Sequence, residues 1–119
     1  MVERSPQANR PADSLQLLRD EFRHHLESFY ACLKLAPPYH TVEKAVAYLT
    51  AHLKSMKPAE RDRIAADPGL RWAEYRRAFV ESGLNQKHRG IIAGLIRSSL
   101  FTDLPQEYMH FLDTFSSSP

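Results

Sequence analysis

Apolar residues recur along most of this chain at spacings of three and four residues, which places their side chains on one face of an α-helix. The first such run extends from Asp13, which offers an N-cap, to about Leu35, where Pro37 and Pro38 end it. No segment alternates between apolar and polar residues with a period of two. The pattern therefore predicts an all-α protein, a compact bundle of five to six short helices with antiparallel neighbours.

Helix start and stop signals divide the rest of the chain into further short helices. Gly83 can end one of them in the left-handed conformation, with Leu84 making the apolar contact that usually accompanies such an end. Residues 13–116 are expected to form a single helical domain, between an N-terminal tail of residues 1–12 and a C-terminal tail of residues 117–119. The predicted boundaries are Thr41 as the cap of helix 2, Pro58 and Asp67-Pro68-Gly69 as the bounds of helix 3, Leu70 and Ser82 as those of helix 4, Asn85 as the cap of helix 5 and Asp103 as the cap of helix 6.

The predicted core is built from the apolar faces of these helices, because burial of those faces drives the packing of an amphipathic helix. Histidine at position 25 also falls on the apolar face of helix 1 and is interpreted as a satisfied interior residue. Helix 1 contributes Leu15, Leu18, Phe22, Leu26, Phe29 and Leu33, helix 2 contributes Val42, Ala45, Val46, Leu49, Leu53 and Met56, and helix 6 contributes Tyr108, Phe111, Leu112 and Phe115.

The composition suits one folded domain with a single modest core, since the chain has 119 residues, of which 43% are apolar and 25% charged. No stretch approaches the roughly 20 apolar residues that span a bilayer, and the N-terminus lacks the apolar run of a secretory signal. Cys32 is the only cysteine, so no internal disulfide can form and a reducing cytoplasm is the expected compartment. Cys32 itself is interpreted as a small packing residue.

Charge is unevenly distributed along the chain. Residues 71–97 carry six basic and two acidic side chains, whereas residues 98–119 carry three acidic side chains and no Lys or Arg. These charges can be solvated helix faces that also neutralise each other within the fold. The alternative is that an acidic partner docks on the basic hairpin formed by helices 4 and 5.

A repeated Glu-x-x-His pattern is the main metal-like signal, once at Glu21 and His24 and again at Glu107 and His110. Di-iron bundles use two such pairs together with a glutamate from each of two further helices. Helical geometry is expected to point both pairs away from the core here, and zinc would need three or four convergent ligands. The sequence therefore predicts no metal site and no cofactor.

Catalytic motifs are also lacking in the sequence. It contains no Gly-x-Ser-x-Gly elbow, phosphate loop or dinucleotide fingerprint, and its four glycines cannot form a glycine-rich cradle. The sequence predicts that the protein is not an enzyme and has no catalytic or cofactor-binding residues.

One face of helix 4 combines three aromatic residues with arginines, and aromatic and arginine side chains are enriched in the energetic centres of protein interfaces. The alternative interpretation is that the aromatic residues belong to the core. The predicted partner-binding residues are Trp72, Tyr75, Arg76, Arg77 and Phe79.

Helix 5 contains two glycines one turn apart, although glycine inside a helix costs about 1 kcal/mol relative to alanine. Small side chains flanked by large aliphatic ones favour a close helix crossing, either within the domain or across a dimer axis. A homodimer is predicted, with an interface formed by Gly90, Ile91, Ile92, Gly94 and Leu95.

Nucleic-acid binding is an alternative function, because residues 75–95 have the outline of a helix-turn-helix with Gly83 in the turn. The pattern departs from that motif at Phe79, where a small residue is expected, and at Arg89, where an apolar one is expected. The second helix also carries an apolar seam in place of a polar reading face.

In overall plan, residues 13–116 resemble the small helical antiactivators with which bacteria disable LuxR-type quorum-sensing transcription factors. The resemblance lies in size, helicity and the absence of catalytic residues. It implies a homodimer that binds the regulator and blocks its dimerisation or its DNA contact. The function predicted from the sequence is a non-catalytic protein-binding regulator, with a nucleic-acid-binding protein and a metal-binding helical protein as alternatives.

Overall fold

The computed structural model describes residues 11–98 and 104–116, with the side chains of 14–98 and 104–115. Within these ranges the regular secondary structure is entirely helical, which confirms the predicted all-α bundle. Residues 1–10 and 117–119 of the predicted tails, and the predicted cap Asp103, lie outside the described residues. The α-helices are α1 (Pro11–Cys32), α2 (Tyr39–Lys54), α3 (Pro58–Ala66), α4 (Pro68–Glu81), α5 (Arg89–Arg97) and α6 (Met109–Ser116), with 3₁₀ turns at Leu84–Gln86 and Gln106–Tyr108.

The aromatic stripe of α1 lies at the centre of the bundle. Phe22 and Phe29 are fully buried, and the ring of Phe22 stacks on that of Tyr75 in α4 at a centroid distance of 5.1 Å. Phe29 meets Phe79 of α4 at 6.0 Å and Phe111 of α6 at 5.4 Å, both edge to face. Burial of one such side chain stabilises the fold by about 1.5–3 kcal/mol. These rings therefore hold α4 and α6 against α1.

The second side of α1 packs against α2 and α3. The apolar positions predicted for α2 are buried, apart from Met56, which is partly buried just beyond the helix. In α3 the apolar anchor is Ile64, and Pro58 occupies the first helical position as predicted. The backbone N–H of Lys57 donates to Oε1 of Glu60 at 3.2 Å, which satisfies one of the groups that a helix start leaves without a partner.

Three predicted helix boundaries in the first half of the chain are wrong by a few residues. The structure begins α1 at Pro11, so Asp13 lies inside the first turn and is not its N-cap. The first turn of α2 is closed by the backbone, because the N–H of Val42 donates to the carbonyl of Pro38 at 2.8 Å, and Thr41 is not the cap. The end of α1 falls at Cys32, because Lys34 adopts a left-handed conformation (φ 60°).

The Asp-Pro-Gly sequence that ends α3 also begins α4. Oδ1 of Asp67 accepts the backbone N–H groups of Gly69 at 2.9 Å and Leu70 at 3.4 Å, which is the geometry of an N-cap. With Asp67 as cap and Pro68 at the first position, α4 starts two residues before the predicted Leu70. The two helices are therefore joined by a single non-helical residue.

The connection from α4 to α5 is longer than predicted. Gly83 has the expected left-handed conformation (φ 87°), and Leu84 is fully buried. Asn85 lies in the 3₁₀ turn, however, and α5 begins only at Arg89, so Asn85 is not its cap. The predicted sixth helix also begins with a 3₁₀ turn before α6. The apolar positions predicted for that helix, Tyr108, Phe111, Leu112 and Phe115, are buried.

We predict that Tyr75→Phe lowers the free energy of unfolding by about 1–2 kcal/mol, because it removes a hydrogen bond to a carboxylate inside the fold. The Tyr75 hydroxyl donates to Oε1 of Glu21 at 2.6 Å and so links α4 to α1. Urea unfolding followed by circular dichroism measures the change. Tyr48→Phe is the control, because the exposed Tyr48 hydroxyl also bonds a carboxylate, that of Glu81, but water can replace it. Equal effects of the two variants would contradict the prediction.

Candidate protein-binding surface

The aromatic residues predicted to contact a partner lie mostly in the core. Tyr75 and Phe79 are fully buried, so their side chains cannot contact a partner in this fold, and that part of the prediction is corrected. Their spacing along α4 is the spacing of any buried helical stripe, and hot-spot composition does not distinguish a core face from an interface. The alternative interpretation of these two residues as core is the one that the structure supports.

Trp72 occupies the edge of the same core and is partly buried. Its ring stacks on His110 at a centroid distance of 5.3 Å with the planes 13° apart. His25 lies on another side at 4.8 Å, and Phe111 meets the ring at 5.4 Å. Trp72 therefore closes the junction of α1, α4 and α6, and its ring already has neighbours on several sides.

His25 connects to the same junction through a hydrogen bond. Its Nδ1 lies 3.0 Å from the hydroxyl of Tyr108, and desolvation by burial lowers the pKa of His25. Burial also raises the pKa of Tyr108. His25 is therefore partly buried at the edge of the core, with its imidazole hydrogen-bonded to a phenol, and is not the fully interior residue predicted from the sequence.

The Glu-x-x-His pairs do not form a metal site in the part of the chain that the structure describes. Glu21 turns toward the bundle, contrary to expectation, and is held there by the Tyr75 hydroxyl and by Nη1 of Arg71 at 3.4 Å. His24 is exposed. Among the described residues no three His, Cys, Asp or Glu side chains converge as metal ligands. Cys32 is exposed, so its interpretation as a packing residue is wrong.

The arginines of α4 are paired with carboxylates. Arg76 meets Asp113 of α6 at 3.4 Å, and Arg77 meets Glu81 at 3.4 Å and Glu74 at 3.7 Å. Such partly exposed pairs contribute only about 0–1 kcal/mol each, but they offset the positive charge of the helix. The two predicted contact residues Arg76 and Arg77 are therefore at the surface, in a locally neutralised setting.

The outward face of α5 is the most open apolar surface that the predicted residues form. The side chain of Ile92 is fully buried, whereas Ile91 is 55% exposed and Leu95 is partly exposed. A Cβ added to Gly90 would meet nothing within 4 Å, and one added to Gly94 would meet only Nη2 of Arg97 at 3.8 Å. Close packing inside the described fold therefore does not explain either glycine. We call this the α5 surface and define it as Lys87, Gly90, Ile91, Gly94, Leu95 and Arg97.

The α5 surface differs from α4 in its electrostatics. The sequence holds no Asp or Glu between Glu81 and Asp103. Lys87 and Arg97 have no carboxylate within 4.0 Å among the described residues, and Nη1 of Arg89 donates only to the backbone carbonyl of Asn85 at 3.3 Å. Nearby carboxylates therefore offset the positive charge of α4. Among the described residues they do not offset that of α5.

The start of α5 lacks the usual stabilising features of a helix N-terminus. His88 stands at the N-cap in a left-handed conformation (φ 55°), and its side chain makes no capping hydrogen bond. No acidic residue lies in the first turn. Helix N-termini carry partial positive charge and backbone N–H groups without intrahelical partners, so a basic, uncapped start is electrostatically unfavourable.

Comparison of the chain with protein-family models, with curated proteins and with solved structures finds no match in any of the three. No helix in the described ranges combines the length and apolar character that crossing a membrane requires.

We predict that acid destabilises the protein partly through His25. Because burial lowers the pKa of His25 below its usual 6.5, the unfolded chain binds the proton at higher pH than the folded protein does. The contribution of neutral His25 is thus complete above pH 6.5 and is lost as the pH falls through the lower pKa of the folded state. The melting temperature should drop more between pH 7 and 5 for the wild type than for His25→Gln. Parallel curves for the two proteins would contradict this assignment.

We predict that Trp72→Ala lowers the free energy of unfolding by about 2–4 kcal/mol, because the ring fills the junction between three helices. Chemical unfolding monitored by far-ultraviolet dichroism measures the loss. Arg76→Glu is the comparison variant. The Arg76 side chain is 42% exposed, so this variant should remain folded. A Trp72→Ala protein as stable as the wild type would show that the ring does not support the core.

Proposed function

We propose that this protein is a non-catalytic regulator that acts in the cytoplasm by occupying the surface of another protein through the α5 surface. The observation that carries the proposal is the exposure of Ile91 and the two open glycines on a helix whose other side is anchored in the core. Exposed apolar area beside small residues allows a second helix to approach closely. Functional surfaces of soluble proteins commonly have this character.

A transcription regulator is the proposed class of partner. This part of the proposal rests on the resemblance to LuxR antiactivators in size, helicity and absence of catalytic residues. Occupation of the dimerisation or DNA-binding surface of such a regulator requires an exposed helix face and no catalytic residues. The α5 surface is the part of this protein that fits that requirement.

Nucleic-acid binding has less support in the geometry than protein binding. The connection between α4 and α5 runs over residues 82–88, whereas a helix-turn-helix uses a turn of about three or four residues. The α4 arginines are engaged by carboxylates, so they contribute little free positive charge for phosphates. Ile91, near the middle of the exposed face, favours an apolar contact.

A homodimer through α5 is the competing proposal for this surface, and static light scattering at high micromolar concentration tests it. The expected interface residues are those of α5, except that Ile92 is fully buried in the monomer and cannot contribute its side chain. A monomer at that concentration would rule out the dimer. It would not bear on the binding of a different protein through the same surface.

We predict that Gly94→Leu raises or preserves stability and yet weakens partner binding. No described neighbour lies within 3.8 Å of an added Cβ, and leucine is favoured over glycine in a helix by about 0.5–1 kcal/mol. A bulky side chain at Gly94 would, however, block close approach of a second helix. Thermal unfolding reports the first effect. Capture of the partner from the native cytoplasm, followed by titration of the purified pair, reports the second.

A second test and its matched control replace two similarly exposed apolar residues with lysine. Ile91→Lys changes the α5 surface, and Leu17→Lys changes α1 at a residue that is 51% exposed against 55% for Ile91. We expect Ile91→Lys to lose the captured protein and Leu17→Lys to retain it. If Gly94→Leu and Ile91→Lys both bind normally, the α5 surface is not the contact.

A further inference from the structure

We infer that the occupant of the α5 surface is an acidic amphipathic helix of a partner protein, with carboxylates that meet the N-terminal end of α5 and apolar side chains that meet Ile91 and Leu95. This inference rests on the proposed function and specifies the chemistry of the partner. It follows from three properties of the surface: its uncompensated charge, its helix start and its apolar area.

The first property is the contrast in charge between neighbouring helices. On α4, the guanidinium groups of Arg71, Arg76 and Arg77 all lie within 4.0 Å of a carboxylate. By contrast, Lys87, which lies just before α5, and Arg97, the last residue of α5, have no carboxylate within 4.0 Å in the described ranges. The fold thus offsets the charge of one basic helix and leaves the next one along the chain positive, so electrostatic complementarity requires negative charge on the occupant.

The second property is the unfavourable electrostatics at the start of α5. Lys87 and Arg89 flank the positive end of the helix dipole, and the side chain of the cap residue His88 makes no capping hydrogen bond. Helix N-termini bind carboxylates and phosphates through their N–H groups. Gly90, in this first turn, has no side chain and nothing within 4 Å of a Cβ position, so a carboxylate of the partner can approach the backbone there.

The third property is the exposed apolar area, which excludes a purely ionic ligand and favours a partner helix. Ile91 is 55% exposed, and Leu95 is one turn farther along on the same side. Apolar residues spaced by four meet the apolar stripe of a partner helix, as in other helix-in-groove contacts. The exposed apolar area is too small to anchor the domain in a bilayer, and phosphates alone would leave Ile91 without a contact.

A second copy of this chain fits the surface less well than an acidic helix. Two α5 helices that cross in a symmetric dimer place the same basic residues on both sides of the interface. Lys87, Arg89 and Arg97 of one copy would then face like charges, with no Asp or Glu anywhere between positions 81 and 103 to offset them. Like charges that face each other across an interface oppose association.

The test is a titration of the full-length protein with three synthetic helical peptides of equal length. All three carry leucines at positions i, i+3, i+4 and i+7, and their flanking residues are glutamate, glutamine or lysine. Binding is measured by fluorescence anisotropy and located by NMR chemical-shift changes. The glutamate peptide should bind at least tenfold more tightly than the glutamine peptide and shift the amides of residues 87–97. Its affinity should fall as salt rises from low to physiological concentration.

Paired charge reversals locate the interaction. Lys87→Glu with Arg97→Glu should weaken binding of the glutamate peptide at least tenfold. Lys44→Glu with Arg63→Glu changes the net charge equally at exposed positions elsewhere and should leave affinity within twofold. Arg89 stays unchanged in both variants because its side chain bonds the Asn85 carbonyl. Circular dichroism of both variants confirms that they are folded.

Other outcomes overturn the inference in distinguishable ways. No binding of the glutamate peptide, or equal losses in both charge-reversal variants, rejects the acidic helix. Tighter binding to a 20-base-pair DNA duplex or to anionic phosphatidylserine vesicles assigns the surface to phosphates or lipid. A dimer that Ile91→Lys dissociates assigns it to a second copy. If the captured partner is lost with Ile91→Lys but not with the Lys87 and Arg97 reversal, the proposed function stands and the acidic occupant is wrong.

Discussion

Burial of the aromatic stripe of α1 is the interaction on which the rest of this structure depends. Phe22 and Phe29 contact rings from both α4 and α6, so the central helix positions two others that are far apart in sequence. The helices are short, and an isolated helix of 8 or 9 residues such as α5 or α6 is marginal in water. Their stability therefore comes from tertiary packing, of α6 against α1 and of α5 against α6.

The same packing determines which charges remain available at the surface. Docking of α4 on α1 and α6 brings Glu21 to Arg71 and Asp113 to Arg76, so carboxylates distant in sequence offset the α4 arginines. The α5 helix is anchored by Ile92 and by its contact with α6, and no carboxylate of the described ranges lies within 4.0 Å of Arg97 on its outward face. Two segments that are both basic in the sequence thus differ in how far nearby carboxylates offset their charge.

The local irregularities of the fold concentrate at the entrance to α5. Gly83 ends α4 in a left-handed conformation, a 3₁₀ turn follows, and His88 adopts a second left-handed conformation before the helix begins. A non-glycine residue in that region costs roughly 1–2 kcal/mol. Burial of Leu84 offsets part of this cost, and the uncapped end is left beside exposed Gly90 and Ile91.

The sequence by itself determined the helical class, the apolar faces of α1, α2 and α6 and the end of α4 at Gly83, because each follows from local spacing or local turn chemistry. It predicted several starts wrongly. The carbonyl of Pro38 closes the first turn of α2 in place of Thr41, and Asp67 caps α4 two residues before the predicted start. Asn85 lies in a 3₁₀ turn, and α5 begins only at Arg89. Only the tertiary structure decided that Tyr75 and Phe79 are core, that Glu21 turns inward and that the α5 glycines are open. Those outcomes depend on which helix packs against which face, and an amphipathic pattern is the same whether its apolar side meets its own core or a partner.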